Sequence, residues 1–329
     1  VRAVISDEKI KIVCIVGPTA SGKTELAVRL AERFDGEIVN ADSMQVYQGM
    51  DIGTAKPSVD LRRRVPHHLI DIVTPAVNFS ASDFRREAER VIADIHSRGK
   101  HIFVVGGTGL YIRALLQGLV DSPRGDEQVR RELNHLADEL GNEGLLQQLM
   151  EVDPVTAQRL HPNDRVRIVR ALEVYRQTGR PMSGFREDHG FADDVYDCLM
   201  LGIHVERQQL YHRVESRVEA MVEQGLIAEV AELLRKGYTR DLKAMRSIGY
   251  KEICSFLAGE IPLDHAVQLI KRDTRRYAKR QMTWFNKESG IKWVEYPAAF
   301  ANICNHVIEF FARGEDHAKS TFQHPGSIS

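Results

Sequence analysis

The segment Gly17-Pro18-Thr19-Ala20-Ser21-Gly22-Lys23-Thr24 carries the spacing G-x-x-x-x-G-K-[ST]. It follows the apolar run Ile12-Val13-Cys14-Ile15-Val16 and precedes a stretch with apolar residues at helical spacing: Leu26, Ala27, Leu30, Ala31 and Phe34. Strand, glycine-rich turn and helix in that order make a phosphate-binding loop. Gly17 and Gly22 let the backbone turn its N–H groups inward, and the helix start adds the positive end of its dipole. Lys23 is placed for terminal phosphates and the Thr24 hydroxyl for Mg2+. The motif selects an oligophosphate without saying which, because a diphosphate ester and ATP both offer two adjacent phosphates.

An ATPase of this kind usually adds an acid at the end of a buried strand to help hold the metal. Here the strand over 101–105 runs into Gly106-Gly107-Thr108, and the acid instead follows another strand, as Asp42. That position suits a group working on a second substrate beside the phosphates. A turn-forming or helix-capping Asp is the plain alternative. Ser43 and Gln45, just beyond it, carry hydroxyl and amide groups of the kind that read a base edge.

A second kind of chemistry is suggested at 271–280, KRDTRRYAKR, with one acid among seven charged groups. Arg272, Arg275, Arg276, Lys279 and Arg280 recur at i, i+3, i+4, i+7 and i+8 and so share one helical face, extended by Gln281, Thr283 and Trp284. Cation density of this sort pairs with phosphates; a solvated basic helix is the ordinary alternative. Arg165, Arg167 and Arg170 form another cluster. Arg62-Arg63-Arg64 reads as a surface loop. His67 and His68 are adjacent, so their side chains point apart, and no third ligand is spaced nearby; local structure or substrate packing is the expected role. No G-x-S-x-G elbow supports Ser-His-Asp hydrolysis.

The elements that must position these groups alternate in type. Strands are expected over 10–16, 37–40 and 101–105, with helices over 25–34 and 81–98 (capped by Ser80), and a short helix after 106–111 that ends at about 117. This alternation implies a parallel, doubly wound sheet, whose ligands bind beyond the carboxyl ends of the strands. The phosphate loop, Asp42 and Gly106-Gly107-Thr108-Gly109 all follow strand ends and are expected to converge. Between 121 and 197 the texture becomes helical, with helices at 126–150 and 164–177. That middle segment is read as a helical insertion in a core formed by 1–120 and 198–313. A strand at 198–205, helices at 206–224, 226–236, 249–258 and 263–288, a strand at 293–296 and a helix at 299–312 follow. The polar segment 314–329 reads as a disordered tail.

The chain has 329 residues, 43% hydrophobic and 28% charged, with a formal net charge of -1. Global basicity therefore does not announce nucleic acid, and any such binding must come from local patches. Cys14, Cys198, Cys254 and Cys304 are scattered without C-x-x-C spacing and read as buried reduced thiols. With no run of 18 apolar residues and no apolar leader ending in a cleavage site, a cytoplasmic, membrane-free protein is expected, and nothing demands more than a monomer.

Several ordered blocks carry a wider likeness: GPTASGKT (17–24), ADSMQVYQGMDIGTAKP (41–57), PHHLID (66–71), FSASDFR (79–85), GGTGLY (106–111), HPNDRVRIVRALEVYRQTG (161–179), RSIGYKE (246–252) and KRQMTWF (279–285). The chain closely resembles the bacterial tRNA dimethylallyltransferases, with the resemblance spanning about 17 to 286. It implies a P-loop NTPase-like sheet core with a helical insertion gripping the tRNA anticodon stem-loop. The phosphate held would be that of dimethylallyl diphosphate, and the acceptor the exocyclic N6 of the adenine just 3′ of the anticodon, extruded into the core.

Carried over by position, Asp42 would be the general base. Lys23, Thr24 with Mg2+, the loop amides of 17–24 and Arg217 would assist the leaving diphosphate. Asp42, Ser43, Met44 and Gln45 would line the adenine, and Thr108 and Arg130 would touch tRNA. Val166, Arg167, Ile168, Val169 and Arg170 would form one tRNA-contact segment; Arg246, Ser247, Ile248, Gly249, Tyr250 and Lys251 a second; Lys279, Arg280, Gln281, Met282, Thr283, Trp284, Phe285 and Asn286 a third. Prenylation of free adenine nucleotides and a small-molecule kinase are the rival readings. A free nucleotide needs neither the insertion nor the basic helix.

Overall fold

The computed structural model describes residues 9–120, 122–189 and 195–313. In chain order the elements are β1 (Lys11–Val16), α1 (Lys23–Arg33), β2 (Gly36–Asn40), α2 (Val59–Arg64), β3 (His67–His68), α3 (Ala81–Ser97), β4 (His101–Gly106), α4 (Gly109–Gln117), α5 (Glu127–Val152), α6 (Pro154–Ala157), α7 (Arg165–Thr178), α8 (Met182–His189), β5 (Asp197–His204), α9 (Arg207–Glu223), α10 (Leu226–Arg235), α11 (Tyr250–Leu257), α12 (Leu263–Phe285), β6 (Ile291–Glu295) and α13 (Phe300–Ala312).

Six strands form one parallel sheet in the order β3-β2-β4-β1-β5-β6. β1 reads as an almost unbroken apolar run because it is buried on both faces. Ile12, Cys14 and Val16 join one core with residues of α3, α4, α10, α11 and α12, while Val13 and Ile15 join another with residues of α1, α9 and α13. The period of two between these sets is the strand pleat. Helix α3 shows how the sequence sets its own limits. Ser80 accepts from the Asp83 amide, Asp83 reaches back to the Ser80 amide, and Phe84, Ala88, Ile92 and Ile95 repeat at helical spacing on the buried side.

The chain divides into two compact units, one comprising 1–116 and 195–329 and the other 117–194. The boundaries fall a few residues earlier than the expected 121–197. Tyr196 belongs to the first core, and the amide of Asp197, the first residue of β5, donates to the Ile10 carbonyl at 3.1 Å, so 195–196 are the lead-in to β5. The helical unit has its own core, built from Leu133, Leu145, Leu149, Ile168, Leu172 and Met182 among others. Its first helix is broken at Gly141, whose φ of 73° and ψ of 169° interrupt the expected continuous segment. Glycine is the residue that takes this conformation without a Cβ clash.

Arg62-Arg63-Arg64 is the last turn of α2 and not a loop. Arg62 pairs with Asp71 (2.7 Å) and Arg64 with Glu32 (2.8 Å), so the run is spent on local ion pairs. His67 and His68 form β3. His67 Nδ1 donates to the Val65 carbonyl and His68 Nε2 pairs with Glu37, both at 2.7 Å. Among the described residues no helix is long and apolar enough to cross a membrane. The expected tail from 314 lies outside the described residues.

Candidate active site

Three loops leave the carboxyl ends of β1, β4 and β2, which are neighbours in that order across the sheet. Each carries one of the motifs. The loop after β1 turns through Gly17 (φ 145°) and Gly22 (φ 96°) into α1. Lys23 curls back and donates to the Pro18 carbonyl at 2.6 Å. Arg217, from α9, donates to the Thr19 hydroxyl at 3.2 Å. Burial and then Arg217 lower the Lys23 ammonium, Asp42 opposes both, and the net value is about 7. Burial likewise lowers Arg217. Two cations thus share a poorly solvated crevice beside a helix start, an arrangement that an incoming oligophosphate relieves.

Asp42 follows β2. Its Oδ1 accepts from the Met44 amide at 2.8 Å and the Gln45 amide at 3.4 Å. The turn role considered for this residue is therefore real, and it fixes the carboxylate. Oδ2 has no hydrogen-bond donor among the described residues. Burial raises the Asp42 pKa; the Met44 amide, Lys23 and the Gln45 amide hold it down in part. One residue thus anchors its own loop with one oxygen and leaves the other without a donor among the described residues. Gln45 donates both amide hydrogens to the Thr54 and Ala55 carbonyls (3.1 and 3.2 Å), so its capacity to read a base edge is reduced to its carbonyl oxygen.

The loop after β4 fits between the other two, and its glycines are steric necessities. A β-carbon on Gly106 would lie 2.1 Å from the Ala41 carbonyl oxygen, and one on Gly107 would lie 2.2 Å from Gln281 Nε2 and 3.3 Å from the Gly17 carbonyl oxygen. The Thr108 hydroxyl accepts from the Ser43 amide at 3.1 Å, tying this loop to the one bearing Asp42. Tyr277 of α12 stands beside Thr108 and Gln281, and its hydroxyl pKa is raised by burial and then by Asp42. Tyr277 escaped the sequence reading because it stands inside a run read for charge. Its position four residues before Gln281, off the basic face, is the signal that would have found it.

Comparison with known proteins now becomes decisive. Residues 45–288 match the family model described as IPP transferase. A protein of Geotalea daltonii named tRNA dimethylallyltransferase 2 is 84% identical over 323 residues, covering 98% of this chain and 99% of that one. The chain belongs to the IPP transferase family. Two solved members share its fold. The full-length tRNA isopentenylpyrophosphate transferase of Bacillus halodurans is 40% identical with a TM-score of 0.69, over 96% of this chain and 100% of that one. A eukaryotic dimethylallyltransferase described as acting on tRNA is 30% identical with a TM-score of 0.74, over 87% and 74%.

The segments that family resemblance marks for tRNA contact divide by burial. Arg167, Arg246, Lys251, Lys279, Arg280, Thr283 and Asn286 are exposed, as is Val166 at 82%. Ser43, Met44, Thr108, Arg170, Ser247, Ile248, Met282 and Trp284 are half-buried. Ile168, Val169, Gly249, Tyr250, Gln281 and Phe285 are buried, which corrects their assignment from contact to support. In the two helical segments, on α7 and α12, an i, i+3, i+4 repeat necessarily sends part of the segment into the core. Within the helical unit, Arg130 and Arg170 converge on the buried carboxylate of Glu173 (2.9 and 2.5 Å).

The basic face of α12 is also less bare than its sequence. Arg275 pairs with Glu215 and Lys271 with Glu219, both acids on α9, and Arg272 pairs with Asp273 at 2.8 Å. The expectation of uncompensated charge therefore narrows to Lys279 and Arg280, since Glu215 and Glu219 of α9 offset Arg275 and Lys271, and Asp273 of α12 itself offsets Arg272 and Arg276.

Proposed function

We propose that this chain transfers the dimethylallyl group of dimethylallyl diphosphate to N6 of adenosine-37, beside the anticodon, in tRNAs reading codons that begin with U. The observation that carries this reading is the shared crevice of Lys23, Arg217 and Asp42, in which a two-cation cradle for a diphosphate faces a carboxylate with one unclaimed oxygen. A kinase can also use a carboxylate base at its acceptor, so what favours prenyl transfer is this site in a chain of the IPP transferase family; an exocyclic amine is a poor nucleophile that needs its proton removed as the new bond forms.

In this mechanism the N6–C1 bond forms as the C1–O bond to the diphosphate breaks. The N6 proton passes to Asp42 Oδ2. The leaving charge is met by Lys23, Arg217 and the loop amides of 17–24, already oriented before reaction. The Thr24 hydroxyl has no protein partner among the described residues, and no cluster of three or more acidic, His or Cys ligands occurs among them. This suits Mg2+ held through one hydroxyl and substrate phosphates. When bound, the ion would screen charge on the diphosphate. The exposed Arg167, Arg246, Lys251, Lys279 and Arg280 supply phosphate contacts that offset the few kcal/mol of base extrusion. A cytoplasmic monomer acting on tRNA completes the reading.

The test is incubation with labelled dimethylallyl diphosphate, Mg2+ and unmodified tRNA, with AMP and ATP as competing acceptors and the product mapped by nuclease digestion and mass spectrometry. Label at position 37 of tRNA is the expected result. Label on AMP in preference to tRNA overturns it.

A further inference from the structure

Gln281 stands 5% exposed on α12; it does not extend the basic face as its sequence position suggested but turns into the protein. Its Oε1 accepts from the Thr19 amide at 2.8 Å, in the middle of the phosphate loop. Its Nε2 donates to the Gly107 carbonyl at 2.9 Å, in the loop after β4. From Gly107 the path continues through Thr108, whose hydroxyl holds the Ser43 amide beside Asp42. On the other side, Thr19 also receives Arg217. One side chain therefore joins the loop that would carry the leaving group to the loop that is bound to the base.

We propose that Gln281 is a positioning residue that sets the separation between the diphosphate cradle and the Asp42 carboxylate. The inference rests on the donor and acceptor roles given above. The amide is suited to the task because it accepts and donates at once, and both partners are main-chain groups that cannot rotate away. Gly107 has no room for a β-carbon because Gln281 Nε2 fills that place. A shift of about 1 Å between reacting groups costs about 10²-fold in rate. Loss of the bridge should therefore act on turnover and not on substrate capture.

The experiment compares Gln281→Met and Gln281→Glu with the wild type, measuring kcat and KM for dimethylallyl diphosphate and tRNA together with the thermal midpoint. Methionine keeps the volume and removes both hydrogen bonds. The expected result is a kcat about 10- to 100-fold lower, with both KM values within about threefold of wild type. Unchanged kcat per folded molecule, or an effect confined to the KM for tRNA, overturns the proposal. Should Gln281→Met fail to fold, Gln281→Glu still decides. Its carboxylate can accept from Thr19 but donates to Gly107 only when protonated, so the ratio of variant to wild-type kcat should climb as pH falls. A ratio flat from pH 5.5 to 8.5 counts against the bridge. Absence of prenyl transfer by the wild type itself would instead remove the underlying functional reading.

Discussion

The ring of Tyr250 occupies the space that a side chain on Gly53 would need: a β-carbon there would lie 2.5 Å from Tyr250 Cε2. The Tyr250 hydroxyl donates to Glu229 at 2.6 Å, and the same carboxylate accepts from the amides of Asp51 (2.9 Å), Ile52 (2.7 Å) and Gly53 (3.1 Å). Four donors on one carboxylate hold the 51–53 turn to α10. Gln45, bonded to Thr54 and Ala55, links that turn to Asp42.

Replacing Glu229 with Gln leaves the three amides and the tyrosine one acceptor oxygen in place of two. Charge-assisted hydrogen bonds contribute about 1.5–3 kcal/mol each. A loss of about 2 kcal/mol in urea denaturation is expected, with faster amide exchange at 51–53. Exchange at wild-type rates there would show that another contact holds the turn.

Asp42→Asn is a cleaner variant than Asp42→Ala, because an amide oxygen still accepts from Met44 and Gln45 and preserves the turn. Without a proton acceptor, single-turnover prenyl transfer should fall by about 10² or more while tRNA affinity is retained. Near-normal rates would take Asp42 out of the chemistry.

The pH dependence has two arms. Lys23, ordinarily at 10.5, stands at about 7, lowered chiefly by burial. Between these values the unfolded chain binds more protons than the folded one, so this group's contribution to stability improves as pH rises through that window. Binding of a diphosphate needs the protonated form, so its dissociation constant should weaken by up to about tenfold per pH unit above about 7. The acid arm belongs to Asp42: burial raises its pKa, so the rising limb of kcat/KM should lie above the ordinary carboxylate range. Isothermal titration of inorganic pyrophosphate against pH and a kcat/KM profile measure the two arms separately.

Among the α12 cations, Lys279 and Arg280 should matter most for tRNA. Neutralising both should flatten the slope of log affinity against log salt by about 1–2, as expected for one or two lost phosphate contacts. Arg275→Ala removes a side chain already engaged by Glu215 and should change the slope far less. Equal effects from the two variants would mean that Arg275 leaves Glu215 when tRNA binds.

Much of this protein was legible before any fold. The alternation of apolar strands with amphipathic helices placed β1, β4, β5 and α12 nearly to the residue, because burial patterns are local consequences of the pleat and the helical turn. The G-x-x-x-x-G-K-T spacing identified a phosphate loop because backbone geometry is set by adjacent residues; Asp42 stood out by its place after a strand, and Arg217 was named only by the family resemblance. What the one-dimensional order left open was partnership. That Arg275 is neutralised by Glu215, that Gln281 spans two loops, that Tyr277 stands near Asp42, and that Glu229 gathers three amides are relations between residues distant in sequence. Burial and charge compensation are sums over neighbours in space, so they come into being only when the sheet brings the loops after β1, β2 and β4 to one edge.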